Sequence, residues 1–151
     1  MTQWKAPAFL AWLILCFAQT AYAFQEAGKE ELNRVRSLKC QFFLMQTVKW
    51  NGLRPNMEMG KEEFILHFDS IDRKNGTARM IGNEGAEDVT LVGMPFNLTI
   101  IERTGFGNFT FTTIYGDYQD DSFTAVHSRH MDLPGGPRSS QFHGTCKVWG
   151  R

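Results

Sequence analysis

Beyond residue 39 the chain is dominated by short runs rich in Phe, Ile, Val and Thr, several of which alternate apolar and polar residues, separated by turn-forming residues. A side-chain period of two belongs to β-strands, whose successive residues point to opposite faces, whereas helices repeat their apolar positions every three or four residues. The runs are "KCQFFLMQTVKW", "FILHFDSID", "TARMIGN", "DVTLVGM", "FNLTIIER", "NFTFTTIY", "SFTAVHSRH" and "SSQFHGTCKVW". About eight strands follow from them, and the intervening stretches are short enough for neighbours to pair antiparallel.

The sharpest turn signal is Asn75-Gly76. That dipeptide suits a two-residue type I′ turn, in which both central residues take positive φ. Counting outward from it pairs Lys74 with Thr77, Asp72 with Arg79 and Ile71 with Met80. One opposite-charge pair and one apolar pair support that register.

A meander of this kind has two open edges unless the sheet rolls shut. Cys40 lies in the first run and Cys146 in the last. Alternation puts Cys40 on a face with Phe42, Leu44 and Val48, and Cys146 on a face with Phe142 and Val148, so both thiols point towards apolar neighbours. A disulfide between them sets the first strand beside the last. Closing 106 positions, it restricts the unfolded chain by about 4 to 5 kcal/mol in the entropic model. The expected fold is all-β, an antiparallel up-and-down meander closed into a lipocalin-like barrel. A short amphipathic helix within residues 26–38, where Leu32 and Val35 are three apart, precedes it. A two-sheet β-sandwich is the alternative.

The first 23 residues read as an export leader. Lys5 precedes an apolar run from Ala8 to Ala18 that is too short to span a bilayer, and Ala21-Tyr22-Ala23 offers the small residues a signal peptidase needs. Lipidation at Cys16 competes with this cut, but the bulky Leu15 precedes that cysteine. Cleavage near Ala23 makes the mature chain a single β domain over residues 24–151, secreted or periplasmic, without a transmembrane segment, in a compartment where disulfides persist. Removing the first 23 of 151 residues leaves 128, the size of one domain. Lys5 is the one charge removed, so 15 basic residues stand against 16 acidic ones. With no basic run and no positive field, nucleic acid is not an expected partner.

Charge and histidine gather in "FTAVHSRH", residues 123–130. Alternation assigns Phe123, Ala125, His127 and Arg129 to one face and Thr124, Val126, Ser128 and His130 to the other. The two histidines therefore point opposite ways and do not readily share a metal ion. On the neighbouring runs, Glu102 continues the face of Phe96, Leu98 and Ile100, and Phe109 and Phe111 supply the apolar face of the strand between. Glu102 and Arg129 then fall at one end of the sheet, flanking Phe109, with backbones two strand spacings or about 9 to 10 Å apart. The inner face is apolar along most of its length and becomes charged at one rim.

Such a rim is either an internal ion pair closing a packed barrel or the mouth of a cavity. In a cavity, the planar fork of Arg129 receives an anionic head group while phenylalanines hold an apolar body. The expected function is binding of a small apolar or amphipathic ligand, anionic ones included, through Arg129, His127, Glu102, Phe109 and Phe111. A packed module docking on an envelope or extracellular protein is the first alternative. A barrel enzyme using His127 and Glu102 in acid–base chemistry is the second. No nucleophile motif accompanies Ser128, Ser139 or Ser140, and no cofactor or metal follows from the spacing of histidines, cysteines and carboxylates. Asp117, Asp120 and Asp121 lack the ligand alternation of a calcium loop. The sequons at Asn75, Asn97 and Asn108 read as chance matches, Asn75 being committed to a turn and Asn97 lying near a strand start.

Overall fold

The computed structural model describes residues 26–83, 85–105 and 107–150. The expected leader, its cleavage site and Cys16 lie outside them. A short helix, α1, covers residues 26–34. The strands that follow are β1 Leu38–Asn51, β2 Arg54–Gly60, β3 Phe64–Asp72, β4 Thr77–Gly82, β5 Gly85–Met94, β6 Asn97–Arg103, β7 Phe109–Gln119, β8 Ser122–Leu133 and β9 Gly136–Val148. Their order in the sheet is β2-β1-β3-β4-β5-β6-β7-β8-β9, and β9 also pairs with β1. Eight strands thus form a closed antiparallel barrel of lipocalin-like form, to which β2 is added. The alternative of two separate sheets is not what the chain adopts.

Closure depends on the length of β1. From Leu38 to Phe42 it pairs with β3 on one side, and it pairs with β9 on the other from Leu38↔Val148 to Lys49↔Arg138. Beyond Phe42 its free side is taken by β2, from Met45↔Gly60 to Asn51↔Arg54. Alternation did not reveal β2, because its residues are almost all exposed and Pro55 argues against a strand. Proline is tolerated there because β2 is an edge strand.

Cys40 stands directly opposite Cys146, with Cα atoms 3.9 Å apart and the sulfurs at disulfide-bonding distance. Both are fully buried, so the pair fastens the seam between the first and last barrel strands. The face expected for the rest of β1 needs correcting. A bulge between Phe42 and Leu44 inserts one residue, and such an insertion exchanges the two faces beyond it. Leu44 and Val48 therefore leave the face of Cys40, and Thr47 turns inward to share a 3.0 Å hydrogen bond with Ser140 on β9. Gly144 lies beside this bulge. A Cβ there would run into the Gln41 carbonyl oxygen, so only glycine lets β9 approach so closely.

The β3–β4 hairpin also departs from its expected register. Asp72 pairs with Thr77, Asp69 with Arg79 and Phe68 with Met80, with a register shift between Asp69 and Asp72. The cause is a bulge at Ser70, whose φ is 53°. It lets Phe68 and Ile71, three positions apart, both point into the core at 0% and 1% exposure. The connection is then a four-residue loop rather than a two-residue turn. Asp72 closes it by accepting the backbone N–H of Asn75 at 3.0 Å, the Asn75 side-chain amide at 2.7 Å and the backbone N–H of Lys74 at 3.0 Å, and these bonds, those of Asn75 foremost, hold its carboxyl below the usual range. Arg79 instead makes a two-pronged ion pair with Asp69, at 2.8 and 2.7 Å.

Helix α1 covers the barrel end marked by Ile71, Gly116 and Trp149. Leu32 from the helix and Val35 just after it are buried in the common core, as their spacing predicted. Gly28 meets the backbone of β7, where a side chain would collide with the Gly116 carbonyl oxygen. Backbone bonds from Ile71 to Arg36 and from Trp149 to Ser37, 3.1 and 3.2 Å, tie the chain after α1 to the strand ends. Phe68 and Phe123, with Leu38, Leu98 and Ile114, fill the barrel on this side, and Phe42 and Phe142 continue the core as far as His127. Each such side chain contributes about 1.5 to 3 kcal/mol by leaving water. Among the described residues no helix is long and apolar enough to cross a membrane.

Candidate functional site

The end of the barrel opposite α1 is hollow. A pocket of about 590 Å³ opens there, within the range of small-molecule sites. Phe64 and Leu66 of β3, Met80 of β4 and Met131 of β8 form its apolar wall, and Glu102, Thr110, His127 and Arg129 bring polar groups into it.

Strand pairing explains why these groups meet. Glu102 on β6 is opposite Thr110 on β7, which is opposite Arg129 on β8. Directly opposed residues share a face, so all three point inward, as expected for Glu102 and Arg129. The residue between them is Thr110, however, not Phe109. The loop before β7 runs over residues 104–108 and is closed by Thr104 N–H donating to Asn108 O at 2.9 Å and Gly107 N–H to Thr104 O at 3.0 Å. It is one residue longer than "TGFG", and one residue exchanges the faces of the strand it feeds. Thr110, Thr112 and Ile114 are buried inside. Phe109 and Phe111 lie outside, stacked with centroids 6.4 Å apart, and Phe111 packs against His130. Phe109, 43% exposed, reaches only the pocket rim, and Phe111 does not line it. Phe96 sits in the β5–β6 turn with its ring exposed rather than on the inner face of β6.

Arg129 is held on three sides. Its Nε donates to His127 Nε2 at 3.1 Å. Its guanidinium lies 4.9 Å from the centre of the Phe64 ring and 4.7 Å from that of Phe142. Phe142 arrives from β9, where it pairs with His127, and Phe64 from β3. The guanidinium thus leans away from β6, and no ion pair joins it to Glu102 among the described residues. Its two Nη nitrogens have no protein hydrogen-bond acceptor among those residues. Glu102 accepts instead from Thr110 Oγ1 at 2.6 Å.

His127 is 2% exposed. Its Nδ1 lies 2.8 Å from Thr112 Oγ1, and its ring packs against Phe42, Phe64 and Phe142. Because Nε2 accepts from Arg129, the neutral ring carries its proton on Nδ1 and donates it to Thr112. Burial, and secondarily the charge of Arg129, push its pKa down to about 3. His127 is therefore a neutral prop for Arg129. Both ring nitrogens are engaged, and it makes no hydrogen bond to Glu102.

Sequence reasoning missed Phe64, Phe142, Thr110 and Thr112. The two aromatics come from strands distant in sequence, and only barrel closure brings β3 and β9 to Arg129. The threonines were hidden by the one-residue loop error. Among the described residues no three histidines, cysteines or carboxylates are placed to share a metal ion. Asp120 and Asp121, at φ 50° and 58°, form the two-residue turn joining β7 to β8. Asp117 accepts from Thr124. No protein-family model, no curated protein and no solved structure matches this chain.

Proposed function

We propose that this protein binds a small amphipathic molecule in the open end of its barrel, with an anionic group on Arg129 and an apolar body against Phe64, Leu66 and Met80. One observation carries the reading. Arg129 is fixed by His127 and by two aromatic rings inside a pocket, yet among the described residues neither Nη nitrogen has a protein acceptor. A guanidinium spends little conformational entropy on a ligand when its rotamer is already locked, and its paired N–H groups match a carboxylate.

Calorimetric titration with sodium octanoate and with octanol tests this. Octanoate binds and octanol binds at least tenfold more weakly; equal affinity for the two would remove Arg129 from the reading.

Docking on an envelope or extracellular protein has one feature in its favour. The β1–β2 hairpin exposes Trp50, Leu53, Met57 and Met59 at 44%, 94%, 57% and 66%, more apolar surface than a free hairpin gains from. A Leu53→Ser, Met57→Ser double variant that loses association with a partner while keeping octanoate affinity would establish docking as a separate property of the fold.

A further inference from the structure

The same pocket carries charges of both signs on different walls. Arg129 is drawn towards β3 and β9 by Phe64 and Phe142. Glu102 is held on β6 by Thr110. Glu87 on β5 lines the mouth next to it, on the inward face because it pairs with the inward Met80. Neither Glu87 nor Glu102 has a cationic partner among the described residues. The backbones of Glu102 and Arg129 are two strand spacings or about 9 to 10 Å apart. Opposite charges at a pocket mouth attract, and flexible side chains at this separation would meet if free. Here each is fastened to its own wall and the space between is open.

Resting on the anion reading of Arg129, we infer that the preferred ligand is a zwitterion, with its carboxylate on Arg129 and an ammonium group facing Glu102 and Glu87. A simple anion satisfies Arg129 but sets its remaining length beside two unpaired carboxylates, at a cost in affinity. A simple cation gains the carboxylates and opposes Arg129. A molecule with both charges joined by an apolar spacer meets Arg129 and the two carboxylates each with the opposite sign.

The test titrates the full chain with octanoate, octylamine and 8-aminooctanoate, which share one carbon spacer, and with 6-aminohexanoate for a shorter charge separation. An ω-amino acid of either length is expected to bind at least tenfold tighter than octanoate. Glu102→Gln is expected to weaken that ligand about tenfold and to strengthen octanoate, whose binding also reports that the variant is folded. Octanoate binding as tightly as both ω-amino acids would overturn the inference and leave the anion reading standing. Octylamine binding alone, or no probe binding at all, would overturn both.

Discussion

Arg129 Nε donates to His127 Nε2 across 3.1 Å, so a buried neutral imidazole serves as the hydrogen-bond acceptor that orients a cation. A carboxylate in that place would neutralise the guanidinium. Histidine fixes its direction and leaves its charge unspent.

Replacing Arg129 with lysine keeps the charge but removes the fork and the flat faces that rest on Phe64 and Phe142. Charge-assisted hydrogen bonds are worth about 1.5 to 3 kcal/mol each, so octanoate affinity falls about 10- to 100-fold, while the denaturation midpoint changes little. Calorimetry together with urea unfolding measures both.

His127 makes stability depend on pH in a defined window. Its pKa is near 6.5 when the chain is unfolded and about 3 when folded, so the unfolded chain takes up a proton first as pH falls. Stability is complete above 6.5 and declines below it, by up to about 1.4 kcal/mol per pH unit. Asp69 and Asp72, held low by their partners, add to the loss only at more acid pH. Urea midpoints measured between pH 7 and 5 fall for the native chain, and the slope flattens in His127→Gln.

Reduction of the Cys40–Cys146 bridge releases the β1–β9 seam. Cys40→Ala with Cys146→Ala is expected to lower stability by about 2 to 5 kcal/mol. Hydrogen exchange then accelerates first in β1 and β9, where the two ends of the sheet meet, and later in β4 to β6.

Gly144→Ala presses a methyl group against the Gln41 carbonyl oxygen at the same seam and costs about 1 to 3 kcal/mol, the usual penalty of overpacking. Gly105→Ala, with open space around it, stays within about 0.5 kcal/mol of the parent. Thermal or urea unfolding of the two variants side by side gives the comparison.

Alternation and the cysteine pair made the barrel legible, because period two and a covalent seam are properties of the chain itself. The inward set on β8, Phe123 through Arg129, was equally plain. Loop and bulge geometry was not. The bulges at Phe43 and Ser70 and the fifth residue in the 104–108 loop each move side chains across the sheet, and hydrogen bonds formed only in the folded chain decide them. That is why Phe109 and Phe111 looked internal and why Asp72 was matched to Arg79 in place of Asp69. The aromatic cradle of Arg129 was invisible for another reason: Phe64 and Phe142 reach it only after the sheet has closed.

The most direct test follows the side-chain Nε–H signal of Arg129 by ¹H–¹⁵N NMR during addition of octanoate, with Arg129→Lys identifying the peak. The predicted result is a saturable shift of that signal together with the backbone amides of Phe64, Thr110 and His127. An Arg129 signal that stays in place while octanoate saturates the protein elsewhere, or fails to bind at all, would contradict the assignment of the pocket.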